Sequence, residues 1–188
     1  MVAQPGTSAA GVYPAILGRA FDALHPHVRE AHIAPLSARG TMNVVHGSHG
    51  LTRLLVALMG LPAAGTGKAV TLRVTEDVGP DGRRRMLWIR QFGTSSLITR
   101  QSAQGSLLVE RSGPGTIVYA LHEQQGSLVY EQRSMRFLNL PLWAGVTPAV
   151  SASASPAADG WDVDVVVRWR GHLICAYAGR MALVRDEA

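Results

Sequence analysis

Between Lys68 and Val184 the chain alternates apolar and polar positions repeatedly, and turn residues separate the alternating stretches. Side chains on a strand point to opposite faces with a period of two, so this pattern predicts consecutive strands. The clearest stretch is 162–169 (DVDVVVRW), where every second residue is valine or tryptophan. Turn signals at 79–82, 113–115 and 125–126 favour antiparallel neighbours. The pattern predicts an α+β fold, with a mostly antiparallel, strongly curled or barrel-like sheet of about eight or nine strands.

The first third of the chain has a helical period instead. Apolar residues at helical spacing predict a helix from Tyr13 to Leu24, which the pair His25-Pro26 ends. A short helical turn is expected around 27–33, and a first strand is expected over 39–46. Two or three N-terminal helices are therefore expected to pack on the sheet.

A second amphipathic helix follows the first strand, and Ser48 is expected to cap it. One face of this helix carries apolar residues at a spacing of three and four. Because such a face must be covered, we expect it to be buried against the sheet. The residues of this stripe are Leu51, Leu54, Leu55, Leu58 and Met59.

The length of 188 residues is that of one domain. We expect residues 1–11, which are small and polar, to form a disordered tail, and residues 12–188 to form a single α+β barrel-like domain. The low-complexity segment 151–159 (SASASPAAD) is interpreted as a flexible loop that joins two strands.

Several features predict a cytoplasmic protein. The single cysteine, Cys175, cannot form an internal disulfide, and no signal peptide is recognisable. The longest apolar stretch, 54–61, is far shorter than the roughly 20 residues that span a bilayer, so no membrane span is expected. The sequence leaves a homodimer open.

The net charge of +5 raises the question of nucleic-acid binding. The basic residues are scattered, and their one run, 83–85, directly follows a turn. A nucleic-acid site needs a contiguous basic surface, so the run is interpreted as a solvated hairpin tip and no nucleic-acid partner is expected.

Neither a metal nor a nucleotide cofactor is predicted. Five of the seven histidines lie between His25 and His49, but no cysteine and no carboxylate stands near them at ligand spacing. They are interpreted as surface or capping residues. The segment 65–68 (GTGK) lacks the first glycine, the hydroxyl residue and the helix of a phosphate-binding loop.

Polar residues in phase with the apolar face of a strand are the best candidates for chemistry. A buried charge is costly unless it is paired, so an inward Arg90 requires a carboxylate in a structural ion pair or an anionic group of a ligand. The sequence leaves both open. For Glu110 and Tyr130 the buried face of the strand is not fixed by the pattern. The other inward polar candidates are Glu76, Glu123 and Tyr177.

Segments around these residues resemble the bacterial domain of unknown function 4166. They are 88–92 (WIRQF), 107–114 (LLVERSGP) and 171–179 (GHLICAYAG), and the chain resembles a stand-alone member of that family. It departs from the pattern at 151–153, where members tend to carry a glutamate, and at 169–170, where they tend to have a proline-containing turn. The resemblance implies no activity. The matching positions are Trp88, Arg90, Phe92, Glu110, Gly113, Pro114, Tyr177 and Gly179.

The first functional hypothesis is that the chain binds a hydrophobic small organic molecule in a barrel-like cavity, as a cofactor-independent cyclase- or isomerase-type enzyme. Arg90 would stabilise an enolate or carboxylate, Glu110 or Glu123 would act as general base, and Tyr177 would donate a proton or hydrogen bond. Tyr119 is an alternative to Tyr177 in that role. The residues expected to contact the ligand are Glu76, Trp88, Phe92, Tyr119 and Tyr130.

The second hypothesis is a non-catalytic module that binds a lipid-like ligand or docks on a partner enzyme. The family resemblance favours a dehydrogenase as that partner, because members also occur after a saccharopine-dehydrogenase-like domain.

Overall fold

In the computed structural model, which describes residues 11–143 and 145–184, eleven strands form one antiparallel sheet. Their bounds are β1 (Leu36–His46), β2 (Gly65–Val78), β3 (Arg84–Phe92), β4 (Ser95–Gln104), β5 (Leu107–Ser112), β6 (Gly115–Gln124), β7 (Ser127–Phe137), β8 (Leu140–Pro141), β9 (Ala149–Ala157), β10 (Gly160–Trp169) and β11 (His172–Leu183).

Ten of these strands close into a barrel. The order β6-β5-β4-β3-β2-β1-β11-β10-β9-β7 is completed by a pairing between β6 and β7, and β8 extends the sheet as a short hairpin on β7. The predicted barrel-like, antiparallel sheet is confirmed. The number of strands is larger than the expected eight or nine.

The prediction of a flexible loop over 151–159 was wrong, because most of this segment is β9. It pairs with β10 over its whole length and with β7 over four residues. Ala154 is buried, whereas Ser151 on the opposite phase is exposed. Alternation is therefore present, but alanine and serine are too small and too similar in polarity to make it visible in the sequence.

Three short helices, α1 (Val12–Leu17), α2 (Arg19–Asp22) and α3 (Pro26–Glu30), cover one end of the barrel. We call this the closed end; it carries the β2–β3, β4–β5, β6–β7 and β9–β10 turns. The backbone N–H of His25 donates to the carbonyl of Gly126 in the β6–β7 turn at 2.9 Å. The single helix predicted over 13–24 is interrupted because Gly18 takes φ 54°, ψ −127°.

The fourth helix, α4 (Thr52–Met59), lies at the opposite end, which we call the open end. Ser48 does not cap it, since Leu51 holds the N-cap position without a side-chain hydrogen bond. The expected burial of its apolar stripe was wrong in part. Leu54 is 62% exposed and Leu58 is 45% exposed, because α4 packs mainly on β11 and no sheet face covers the rest.

No helix in the ranges 11–143 and 145–184 is long and apolar enough to cross a membrane. The tail predicted over 1–11 lies, apart from Gly11, outside the described residues.

Because β9 lies between two partner strands, its backbone N–H groups belong to the ladder. Proline at Ala152, which pairs with both Tyr130 and Val165, should lower the free energy of unfolding by roughly 2 kcal/mol or more. Urea unfolding measures this. The matched control is Ala158→Pro in the β9–β10 turn, which should be close to neutral. Equal small effects at the two positions would contradict the pairing of β9.

Candidate functional site

The barrel encloses a cavity of about 140 Å³. By the same measure one water molecule occupies ~10–15 Å³, so the space exceeds that of a few waters. The cavity runs from His32 at the closed end to Leu58 and Met59 of α4 at the open end. Most of its wall is apolar, and typical members are Leu72, Leu97, Ile117, Val150, Val165 and Met181.

Small side chains on one wall help to create this space. β9 contributes Ala152, Ser153 and Ala154 to the lining, and the neighbouring β10 contributes valines such as Val163 and Val167. A ten-stranded barrel is wider than one of eight strands, whose interior side chains can fill. Short side chains on β9 therefore leave a void that longer ones would occupy.

His32 forms one end of a hydrogen-bonded chain beside the cavity. Its Nδ1 lies 2.6 Å from the carbonyl oxygen of Val28, so Nδ1 carries the proton and donates. Its Nε2 therefore accepts from the Tyr130 hydroxyl at 2.9 Å. Burial, followed by the nearby charge of Arg90, lowers the pKa of His32 to about 4, although the bond to Val28 opposes this. His32 is thus a neutral imidazole near pH 7.

The chain continues from Tyr130 through the closed end to Glu110. The Tyr13 hydroxyl lies 2.9 Å from that of Tyr130 and donates to Gln101 Oε1 at 2.7 Å. Gln101 Nε2 in turn donates to the Glu110 carboxylate. Tyr13 and Gln101 are almost fully buried, so the chain fixes a helix of the closed end to β4, β5 and β7.

The hydrogen-bonded chain from His32 to Glu110 has one proton too few to complete all of its contacts. The hydroxyls of Tyr13 and Tyr130 supply two protons, but they take part in three contacts: with His32, with Gln101 and with each other. One of the three contacts therefore lacks a proton while His32 is neutral and Gln101 presents its Oε1 to Tyr13 and its Nε2 to Glu110. These hydrogen-bonded side chains can together accept one further proton.

Arg90 lines the cavity, and its guanidinium has no acidic partner in the part of the chain that the structure describes. None of the ion pairs among the described residues includes it. Its guanidinium lies over the Trp88 ring, 4.9 Å from the centroid, and its NH1 donates to Thr99 Oγ1 at 3.2 Å. The indole Nε1 of Trp88 is buried without an acceptor among the described residues. Two neighbouring donors in the wall are thus incompletely used.

Two tyrosines complete the polar part of the wall. Burial raises the pKa of Tyr177 to about 12 and that of Tyr119 well above its ordinary value. Glu110 raises both further, and Arg90 opposes the shift. Both phenols therefore stay protonated near pH 7, and each has an O–H to donate.

The structure places six of the nine predicted site residues around the cavity. They are Trp88, Arg90, Glu110, Tyr119, Tyr130 and Tyr177. It also settles the two open faces, since Glu110 and Tyr130 both face the interior.

Three predicted site residues do not line the cavity. Glu76 lies at the end of β2 and forms an ion pair with Arg84 at 2.9 Å. Glu123 lies at the end of β6 and accepts from the backbone N–H of Gly126 at 2.7 Å. Phe92, at the end of β3, is buried in the core, and its ring meets the Tyr177 ring at 5.8 Å in an edge-to-face contact. Each has the inward phase, but phase does not give its depth along the barrel.

Sequence reasoning missed four residues of the site. Thr99 and Gln101 share the inward face of β4 with Leu97, a signal that the alternation contains. His32 was expected at the surface, yet it is only 3% exposed. The burial of His32 and Tyr13 depends on how the helices cover the barrel, which no local pattern specifies.

No group of three or more histidine, cysteine or acidic side chains within 11–143 and 145–184 is arranged to hold a metal ion.

A family model described as "Domain of unknown function (DUF4166)" matches residues 24–181. No curated protein matches the chain. Among solved structures, a protein of unknown function from the DUF3598 family of Nostoc punctiforme is similar, with a TM-score of 0.49 and 12% identity. The similarity covers 80% of this chain and 47% of that one, so the chain spans about half the length of the similar structure.

The buried His32 makes stability depend on pH. The unfolded chain binds a proton on this residue below about pH 6.5, whereas the folded chain does so only near pH 4. The contribution of neutral His32 to the free energy of unfolding should therefore be fully present above about pH 6.5. It should fall by roughly 3 kcal/mol on acidification to about pH 4. Urea unfolding of H32Q, which cannot titrate here, should show a loss smaller by that amount. H172Q, at an exposed histidine, controls for the loss of one imidazole. Parallel pH profiles for wild type and H32Q would contradict the assignment.

Proposed function

We propose that this chain, which belongs to the DUF4166 family, binds a hydrophobic small organic molecule in the cavity of its barrel. The observation that carries the proposal is a mostly apolar cavity whose wall includes a few hydrogen-bond donors that no group among the described residues fully uses. Apolar walls with a small number of placed polar groups are typical of small-molecule sites.

The polar groups also indicate what the ligand carries. Arg90 has five N–H donors, and Thr99 occupies one of them. The unpaired Nε1 of Trp88 and the phenols of Tyr119 and Tyr177 add further donors to the same wall. A carbonyl or carboxylate oxygen on an otherwise apolar molecule would satisfy several of them. Hydrogen bonds from a charged donor contribute about 1.5–3 kcal/mol, so this contact would set much of the affinity.

The role of Arg90 distinguishes a ligand site from a structural ion pair. In Arg90→Met the thermal midpoint of the ligand-free protein should change little, because no ion pair is broken and the loss of the hydrogen bond to Thr99 is offset by removal of a charge from the barrel interior. Retention of a co-purifying small molecule, measured by native mass spectrometry, should fall by roughly tenfold or more. R100M, at an exposed arginine of β4, is the matched control. A large loss of thermal stability in R90M alone, or equal retention in R90M and wild type, would refute the ligand role.

A second candidate function, catalysis, is favoured by the missing proton of the hydrogen-bonded chain beside the cavity. A ligand carbonyl polarised by Arg90 has acidic C–H bonds next to it, and Glu110 lies in the same wall. Glu110 could take such a proton as general base. With the Gln101 amide flipped, the resulting carboxyl group would donate to Gln101 Oε1 and Gln101 Nε2 would donate to Tyr13, so that the hydroxyls of Tyr13 and Tyr130 are free to complete the remaining two contacts. Return of the proton to a different carbon would complete an isomerisation, with Arg90 stabilising the intermediate enolate.

Proton abstraction can be detected without knowledge of the product. The molecule identified by native mass spectrometry is incubated with the protein in D₂O, and its mass is followed. Exchange should proceed with wild type and should drop at least 100-fold in Glu110→Gln, which keeps the size of the side chain but cannot accept the proton. E131Q, at an exposed glutamate, is the control. Retention without exchange in wild type would exclude this base chemistry and leave the non-catalytic binding module.

A further inference from the structure

The open end of the barrel exposes a group of large apolar side chains around the mouth of the cavity. Leu54 belongs to α4, and Leu138, Leu140 and Trp143 belong to the β7–β8 hairpin and the residues that follow it. Their exposed fractions are 62%, 66%, 68% and 80%. Isolated exposed apolar residues are ordinary, but several around one opening indicate an interaction surface.

The same end carries basic residues and no acidic ones among those described. The basic residues lie on α4, at the start of β2, at the end of β7 and on the β10–β11 hairpin; they are Arg53, Lys68, Arg136, Arg168 and Arg170. The acidic residues in the described ranges lie at the closed end, on the outside of the strands midway along the barrel, or inside the cavity. They are Asp22, Glu30, Glu76, Asp77, Asp81, Glu110, Glu123, Glu131, Asp159, Asp162 and Asp164.

We propose that the open end docks on the surface of a lipid bilayer that contains anionic lipids. The exposed leucines and Trp143 would enter the interfacial layer, and the surrounding arginines would lie among the lipid phosphates. Charge complementarity selects this partner. The open end carries cations on α4 and near the strand turns, and among the described residues it has no carboxylate that would repel the lipid head groups. Docking in this orientation leaves the closed end in water.

The position of the cavity gives this surface a purpose. Three residues line the cavity and lie on the same elements as the exposed apolar side chains of the open end. They are Leu58 and Met59 of α4 and Phe137 at the end of β7. A hydrophobic molecule dissolved in the bilayer could thus enter the barrel without crossing water. This route rests on the proposed ligand binding, whereas docking itself does not require a ligand.

Vesicle flotation tests docking directly. Full-length protein is mixed with vesicles of phosphatidylcholine alone and with vesicles that also contain phosphatidylserine. We expect binding to the anionic vesicles, weaker binding to the neutral ones, and a decrease with added salt. The emission of Trp143, the most exposed tryptophan in the described ranges, should shift to the blue on binding.

Paired variants at the two ends distinguish binding through the open end from non-specific adsorption to the vesicles. L140S/W143S should abolish flotation, whereas I33S/V78S, at exposed apolar residues of the closed end, should not. R53Q/R136Q should weaken binding to anionic vesicles by roughly fivefold for each arginine removed, whereas R19Q/R73Q should not. Circular dichroism confirms that each variant is folded.

Three results would overturn the proposal. They are the absence of binding to anionic vesicles, equal binding to neutral and anionic vesicles, and equal losses from variants at the two ends. Retention of the small molecule after purification is measured separately, so loss of docking and loss of ligand binding can be told apart.

Discussion

Closure of ten strands is the constraint on which the rest of the molecule depends. The pairings of β7 with β6 and with β9 complete the ring, and the second of them depends on β9, a strand with few large apolar residues. Without β9 the sheet would have two free edges, at β7 and β10. A closed ring of ten strands has an interior that short side chains cannot fill, so the cavity follows from the strand number together with Ala152 and Ala154. The candidate site is thus a consequence of closure.

The helices of the closed end do more than shield the barrel from water. Tyr13 and His32 bring polar atoms from this end to Gln101 on β4 and Tyr130 on β7. The residues that these bonds join are 88, 117 and 98 positions apart in sequence, so they come together only in the folded barrel. Since the same bonds fix the cavity wall, displacement of α1 would disturb the site and the fold together.

Period-two alternation made the strands with large apolar residues predictable, and it placed Arg90, Trp88 and Tyr177 on the inside. It failed where its physical basis is weak. β9 has side chains too small to give contrast, and Glu76 and Glu123 have the inward phase but lie where strands leave the barrel. The burial of His32 was not predictable, because it arises from the packing of α3 and not from the residues around it in sequence. Local pattern specifies a face, whereas depth and closure are tertiary properties.

The unsatisfied polar groups argue that the cavity is more than a packing defect. A buried group without a partner costs about 1–3 kcal/mol, so selection for stability alone removes such groups. Within the described residues, three side chains have a buried atom of this kind, and Trp88 is the one that lines the cavity. Beside it are the incompletely used guanidinium of Arg90 and a hydrogen-bonded chain one proton short. The first two are unused donors, which an oxygen atom of a ligand could accept from, and the third is a missing proton, which a protonated group could supply. Such deficits in one wall are better explained by binding than by folding.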